Sequence, residues 1–139
     1  MIINKFNIRV YGILINEQNQ VLVSDELIKG NHITKFPGGG LEFGEGTMDC
    51  LKREFIEETN NEIDVVTHFY TTDFFQQSAY NPSHQIISIY YIVKPKLRFN
   101  TPIALEEQSF RWIELNSISE NDFTLPIDKI VGKLLSSYK

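Results

Sequence analysis

Residues 38–61, GGGLEFGEGTMDCLKREFIEETNN, decide the reading of this chain. A glycine-rich turn carrying Glu42 and Glu45 runs into an amphipathic segment that sets Glu54, Glu57 and Glu58 within one turn of each other. At about 3.6 residues per turn, Met48, Leu51, Phe55 and Thr59 share one stripe, and the three carboxylates form a second stripe roughly 100° round the helix. Such a helix can bury one face and offer the other to a cation. Without a counter-charge the arrangement is costly, because like charges three and four apart destabilise a helix by about 0.2–0.5 kcal/mol per pair, and by more where water is excluded. A hard divalent cation reverses that sign. Mg²⁺ takes oxygen ligands, keeps several waters and bridges carboxylates to substrate phosphates. Taken alone, Glu-x-x-Glu-Glu reads as a solvated acidic helix face; the residues before it argue for a metal site.

Gly39, Glu45, Arg53, Glu54, Phe55, Glu57 and Glu58 fit the pattern G-x5-E-x7-R-E-U-x-E-E-x-G-U, in which U is a bulky apolar residue. By that pattern, and by the Phe36-Pro37-Gly38 that leads into it, the sequence resembles the Nudix hydrolase family. The resemblance runs from about Arg9 to Leu135 and is strongest over residues 36–60. Two positions depart from it. Asn60 stands where a glycine ends the helix, and Asn tolerates the left-handed conformation such a stop requires. Asn61 stands where an apolar residue follows, a gap that Ile63 can fill.

The resemblance implies an α/β fold, a Nudix-like α/β/α sandwich with a mixed central sheet. It implies hydrolysis of a nucleoside diphosphate linked to another group, by water attack at a pyrophosphate phosphorus. Mg²⁺, or Mn²⁺ in its place, would be held by Glu54, Glu57, Glu58 and the Gly38 carbonyl. Arg53 would orient the carboxylates by forked hydrogen bonds, a task that favours Arg over Lys. The water's proton would pass to Glu54, or to a loop carboxylate, Glu106 or Glu107, ahead of the Phe110-Arg111-Trp112-Ile113 strand. Glu42, Phe75, Tyr80 and Tyr90 are the candidate substrate contacts; the aromatics could stack on a base, although strand aromatics are usually core.

The substrate class stays open between nucleoside triphosphates and nucleotide sugars. Gln77 stands near the position where ADP-ribose hydrolases of the family tend to carry proline, and Tyr80 only approximates the tyrosine of dinucleoside polyphosphate hydrolases. The complete box, with Glu107 where the GDP-mannose branch uses a loop His, argues for attack at phosphorus. A domain that senses a nucleotide without cleaving it is the rival reading, and the intact carboxylate set speaks against it.

Other motifs fail. Gly39 and Gly44 have the glycine gap of a phosphate-binding P-loop, but Glu45 and Gly46 stand where that loop needs Lys and then Ser or Thr. His32, His68 and His84 are too scattered for zinc. The 139 residues, 42% hydrophobic and 22% charged, suit a single soluble domain over residues 1–139. No apolar run approaches the roughly 20 residues of a membrane helix, and no leader pattern opens the chain, so a cytoplasmic location is expected. The net charge of −5, with scattered Lys and Arg, argues against a nucleic-acid partner and leaves a small nucleotide. Homodimers are frequent in the family, but no interface is legible here. Cys50, the single cysteine, reads as a small packed residue without chemistry.

Along the chain, residues 6–15 and 21–23 read as strands joined by a hairpin, with the first central in its sheet. Residues 24–32 read as a loop, 33–36 as a short strand and the three glycines as a turn. Thr47 is the expected N-cap and Asn60 the stop of the acidic helix. Residues 62–77 suggest two strands or one bent strand, 84–93 a strand ended by Pro95, and 100–108 a loop. Leu125-Pro126 opens a last helix that buries Ile127, Ile130, Val131, Leu134 and Leu135.

Overall fold

The apolar run that begins at Phe6 becomes the strand on which both layers of the core are built. In the computed structural model, which describes residues 2–138, the elements in order are β1 (Lys5–Leu14), β2 (Gln20–Ile28), β3 (Asn31–Lys35), β4 (Gly38–Gly40), α1 (Thr47–Thr59), β5 (Ile63–Thr71), β6 (His84–Pro95), β7 (Gln108–Glu114) and α2 (Pro126–Leu135). A 3-10 turn at Glu120–Asp122 precedes α2. β1 lies inside a four-stranded sheet ordered β4-β1-β6-β5. It is parallel to β6 and antiparallel to β4, so the sheet is mixed as expected. An antiparallel sheet ordered β3-β2-β7 stands beside it.

Side chains alternate along a strand, and β1 uses both faces. Val10 and Leu14 pack with Leu51 and Phe55 of α1, while Tyr11 and Ile13 pack with Ile127, Val131 and Leu135 of α2. The two helices therefore cover opposite faces, giving the α/β/α layering. Gly12, between Val10 and Leu14, lets α1 come close: a Cβ there would stand 2.5 Å from the Phe55 ring.

Several local expectations are corrected. β1 and β2 do not form a hairpin ladder; they share only an isolated bridge, Ile15 to Val21, and then part into different sheets. β2 continues through the segment expected to be a loop, because Ser24 and Glu26 point inward yet find partners there: Ser24 Oγ donates to Glu26 Oε2 at 2.8 Å, and Lys35 Nζ meets the same oxygen at 3.0 Å. The three glycines form β4 against β1 rather than a free turn. Residues 63–71 make one strand whose register shifts twice against β6.

α1 starts one residue earlier than a Thr47 cap requires. Gly46 is the N-cap, its N–H donating to the Asp49 carboxylate at 3.2 Å, and the Thr47 hydroxyl pairs instead with Tyr91 Oη at 2.7 Å. The helix buries Cys50, Leu51, Phe55 and Thr59, which rotates Met48 outward to 50% exposure. Asn60 ends it in the left-handed region at φ 56°, as expected. Asn61 is buried and polar for a reason: its Nδ2 donates to the Thr59 and Asn100 carbonyls, and its Oδ1 accepts from the Asn100 N–H, tying the helix end to the loop before β7. Ile63 joins the apolar cluster under α1.

α2 carries Pro126 at its first turn and buries Ile127, Val131 and Leu135, whereas Leu134 is exposed. Among the described residues no helix is long and apolar enough to cross a membrane. Asp128 on the first turn of α2 is also buried, accepting a hydrogen bond from Tyr90 Oη at 2.7 Å. Burial raises its carboxyl from 3.8 to about 6, against the pull of the Tyr90 hydrogen bond and the Lys35 charge. The folded state therefore binds more protons than the unfolded state between those two values, and stability falls as pH rises through the interval. Asp128→Asn is expected to lose that slope, exceeding the wild type by up to roughly 3 kcal/mol above about pH 6 and converging with it below about pH 4. Urea unfolding from pH 4 to 8 measures this; identical slopes would contradict the buried carboxyl.

Candidate active site

α1 is a rigid mount for the acidic residues, and Arg53 is the side chain that arranges them. Its Nε and Nη2 fork onto Glu45 at 3.0 and 2.7 Å. Nη1 donates to Glu54 Oε2 at 3.2 Å and to Glu57 Oε2 at 3.1 Å, and Nη2 also reaches the Gly40 carbonyl at 3.1 Å. Glu42, expected to touch substrate, lies 3.7 Å from Nε and remains largely exposed. The Arg53 hydrogen bond, with a second from the Glu42 N–H, holds the Glu45 carboxyl down at about 2. The same contact with Glu45 pushes the Arg53 guanidinium still further up. Cys50, packed below, has its thiol pushed up to about 12, first by burial and then by Glu45, so it stays protonated and inert.

β4 brings the backbone to this edge. A Cβ on Gly39 would stand 2.3 Å from Glu54 Oε2, so only glycine lets that carboxylate rest against the strand. The Gly38 N–H donates to Glu58 Oε2 at 3.0 Å. The other Glu58 oxygen accepts from Gln108 Nε2 at 3.0 Å, and Gln108 also reaches Glu26 Oε2 at 3.3 Å. Thus Gln108 takes the place beside the box that Glu106 or Glu107 was expected to fill. Both glutamates are exposed, and among the described residues neither side chain bonds to a box carboxylate. The strand β7 begins at Gln108, so its side chain is fixed by the ladder while the two before it project from the loop.

Among the described residues no three acidic, His or Cys side chains converge as a finished metal cage. The donors nevertheless suit a hard divalent ion, which needs only one or two carboxylates beside waters and substrate oxygens. Glu58 carries the stronger argument. Burial raises its pKa, and Lys35 and the Gln108 hydrogen bond only partly offset it. A carboxylate short of positive charge at this edge favours a cation.

Beside the carboxylates lies a cavity of about 280 Å³. Arg9, Tyr11, Ser88 and Tyr90 from the mixed sheet line it, with Lys35, Tyr80 and Asp128 among its other walls. Tyr80 and Tyr90, two of the expected substrate contacts, thus line this cavity. Phe75 is exposed and does not line the cavity, because the irregular segment after β5 turns it outward. Sequence reasoning missed Arg9, Tyr11, Lys35, Asp128 and Gln108. A signal existed for two of them: Arg9 falls between the apolar Ile8 and Val10, and Lys35 sits in a strand directly before Phe36.

The NUDIX domain family matches residues 5–134 of this chain. The 8-oxo-dGTP diphosphatase of Buchnera aphidicola subsp. Acyrthosiphon pisum is 27% identical over 103 residues, which are 74% of this chain and 77% of that protein. The 8-oxo-dGTP diphosphatase of Escherichia coli (strain K12) is 25% identical over 125 residues, 88% of this chain and 92% of that protein. The solved NUDIX hydrolase from Nitrosomonas europaea aligns with a TM-score of 0.72 at 18% identity, covering 92% of this chain and 88% of that one, a likeness of fold. Because the family match runs from the first residue of β1 into the last turn of α2, the chain belongs to the NUDIX family.

Proposed function

We propose that the protein hydrolyses a nucleoside triphosphate, by water attack on a phosphorus of the anhydride chain, releasing a nucleoside monophosphate and pyrophosphate. One observation carries this reading: the acidic edge of α1 and the cavity adjoin. Lys35 lines the cavity, and its partner Glu26 shares the Gln108 amide with Glu58. A substrate can therefore place its organic group in the cavity and its phosphates along α1. The cavity, at about 280 Å³, lies at the small end of ligand pockets and suits one base better than a second nucleotide. Asp128 supports a base with N–H donors, since Tyr90 engages Oδ1 and Oδ2 accepts no hydrogen bond among the described residues. The two relatives named above are 8-oxo-dGTP diphosphatases, which agrees with that chemistry. The substrate would be a free nucleotide of the cytoplasm rather than a nucleic acid.

Mg²⁺, or Mn²⁺ in its place, held by Glu54, Glu57, Glu58 and the Gly38 carbonyl, would polarise the phosphoryl oxygens and acidify the attacking water. Arg53 keeps Glu54 and Glu57 turned toward each other before substrate arrives. Glu54 would accept the water's proton through Oε1, since Arg53 engages its Oε2. The water oxygen forms a new bond to phosphorus as the anhydride P–O bond breaks, and the leaving pyrophosphate takes that bond's electrons. Glu106 or Glu107 could take the proton only after movement of the loop over residues 100–107.

Glu57→Ala is expected to lower kcat by about 10²–10³-fold, the several kcal/mol that a lost metal contact represents. The fold should survive, because the Glu57 side chain is 57% exposed and, among the described residues, bonds only to Arg53. Arg53→Lys keeps the charge but not the fork, and should lower activity about 10–100-fold while raising the Mg²⁺ concentration needed for half-maximal rate. Phosphorus NMR of the products from a nucleotide panel, with each protein and Mg²⁺, measures both. Release of monophosphate and pyrophosphate supports the proposal; unchanged turnover in Glu57→Ala refutes the residue assignment. Binding without any product would make the protein a nucleotide-sensing domain.

A further inference from the structure

We propose that Arg9 and Lys35, set against the Tyr11 ring between the cavity and the box carboxylates, form a phosphate clamp that grips the phosphate attached to the nucleoside without help from metal. The proposal rests on the triphosphate reading above and adds residues outside the box to it. Neither cation belongs to the acidic edge of α1. Arg9 is half-buried on β1 and Lys35 is 7% exposed on β3. Their charged groups meet the same ring, at 5.8 Å for Arg9 Cζ and 5.5 Å for Lys35 Nζ from the Tyr11 centroid. Both side chains line the cavity.

Each spends little of its hydrogen-bonding capacity. A guanidinium offers five N–H donors and an ammonium three. Among the described residues, Arg9 uses Nε on Tyr11 Oη at 2.7 Å, and Lys35 uses one donor on Glu26 at 3.0 Å. Two neighbouring cations repel, and withholding their donors from water is costly unless an acceptor arrives. Their attachments explain which acceptor. Arg9 Nη1 lies 3.6 Å from where a Cβ on Gly40 would stand, one residue from the Gly39 that touches Glu54. Lys35 connects through Glu26 and Gln108 to Glu58. The two cations thus stand where the chain of a nucleotide must cross from the cavity to the carboxylates. A forked guanidinium beside a point-charge ammonium matches a tetrahedral phosphate. Such a clamp would also hold the monophosphate product after pyrophosphate departs.

Calorimetric titrations in EDTA test this with dGMP, dAMP, dCMP, TMP and 8-oxo-dGMP, each against its own nucleoside. The wild type should bind at least one monophosphate about tenfold or more tighter than the matching nucleoside, the effect of one or two charge-assisted hydrogen bonds. Arg9→Gln and Lys35→Gln each keep a donor for Tyr11 or Glu26; both should cut that advantage to about threefold or less while nucleoside affinity holds. Lys35→Arg should restore it. A reading that needs no substitution is the Arg9 Nε–H resonance, which should shift with monophosphate and not with nucleoside. No phosphate advantage in the wild type overturns the proposal, as does an unmoved resonance. An advantage that survives in both Gln variants would reduce the two cations to counter-charges for Glu54 and Glu58. These titrations involve neither metal nor bond cleavage, so a wild type that turns over no nucleotide would sink the hydrolase reading alone.

Discussion

One guanidinium holds together a helix edge that would otherwise push itself apart. Glu54, Glu57 and Glu58 crowd the second half of α1, where the helix dipole is negative and the last turn carries no basic residue. Each acid placed there works against the dipole by about 0.3–1 kcal/mol at an exposed site, and each like-charge pair adds a few tenths. Arg53 opposes both by bonding Glu45, Glu54 and Glu57 at once. Its fork onto Glu45 also anchors the loop before the helix, so the same contact sets the approach of β4 to α1. A lysine offers a single charged point and could not bond three carboxylates and the Gly40 carbonyl in one plane.

That approach depends on residues without side chains. Gly12 admits the Phe55 ring and Gly39 admits the Glu54 carboxylate, so the helix lies close over β1 and β4. Cys50 fits the same constraint as a small buried side chain whose sulfur sits 3.5 Å from the Gly40 carbonyl. The apolar cluster of Val10, Leu14, Leu51 and Phe55 then fixes the helix rotation, which in turn decides which carboxylates face outward. Packing on one side of α1 and ion pairing on the other therefore specify a single orientation.

The box was legible because its parts are close in sequence: the helix period, Arg53 and the glycines before it all fall within residues 38–61. The helix stop at Asn60 was legible for the same reason, since it depends on one residue's own backbone preference. What failed depended on distant partners. The polar residues of β2 suggested a loop, yet pairing with β3 on one edge and β7 on the other holds them in a strand. Thr47 looked like a cap until Tyr91, far along the chain, claimed its hydroxyl. Gln108 gave no sign that it would reach Glu58, because that depends on where β7 pairs with β2. The cavity could not be read at all, since β1, β6, the loop after β5 and the start of α2 meet only in the fold.

The polar interior of this cleft has a consistent logic. Burying Ser24, Lys35 and Asp128, with Glu26 partly buried beside them, removes positions that could have held apolar side chains, and an unpaired charge among them would cost several kcal/mol. The two apolar clusters on either side carry the stability instead, with Phe36, Tyr90 and Phe123 packed ring against ring on the α2 side. Within the cleft acceptors and donors alternate from Glu58 through Gln108 to Glu26 and Lys35, so every carboxylate in that run meets a donor. The alternation ends at Lys35 and Arg9, whose remaining donors line the cavity. A chain with a net charge of −5 repels a polyanion at long range, so recognition of phosphate has to be local. Under the proposed function, two cations at the cavity wall and carboxylates left to a metal would let one protein hold a polyanion in two ways along its length.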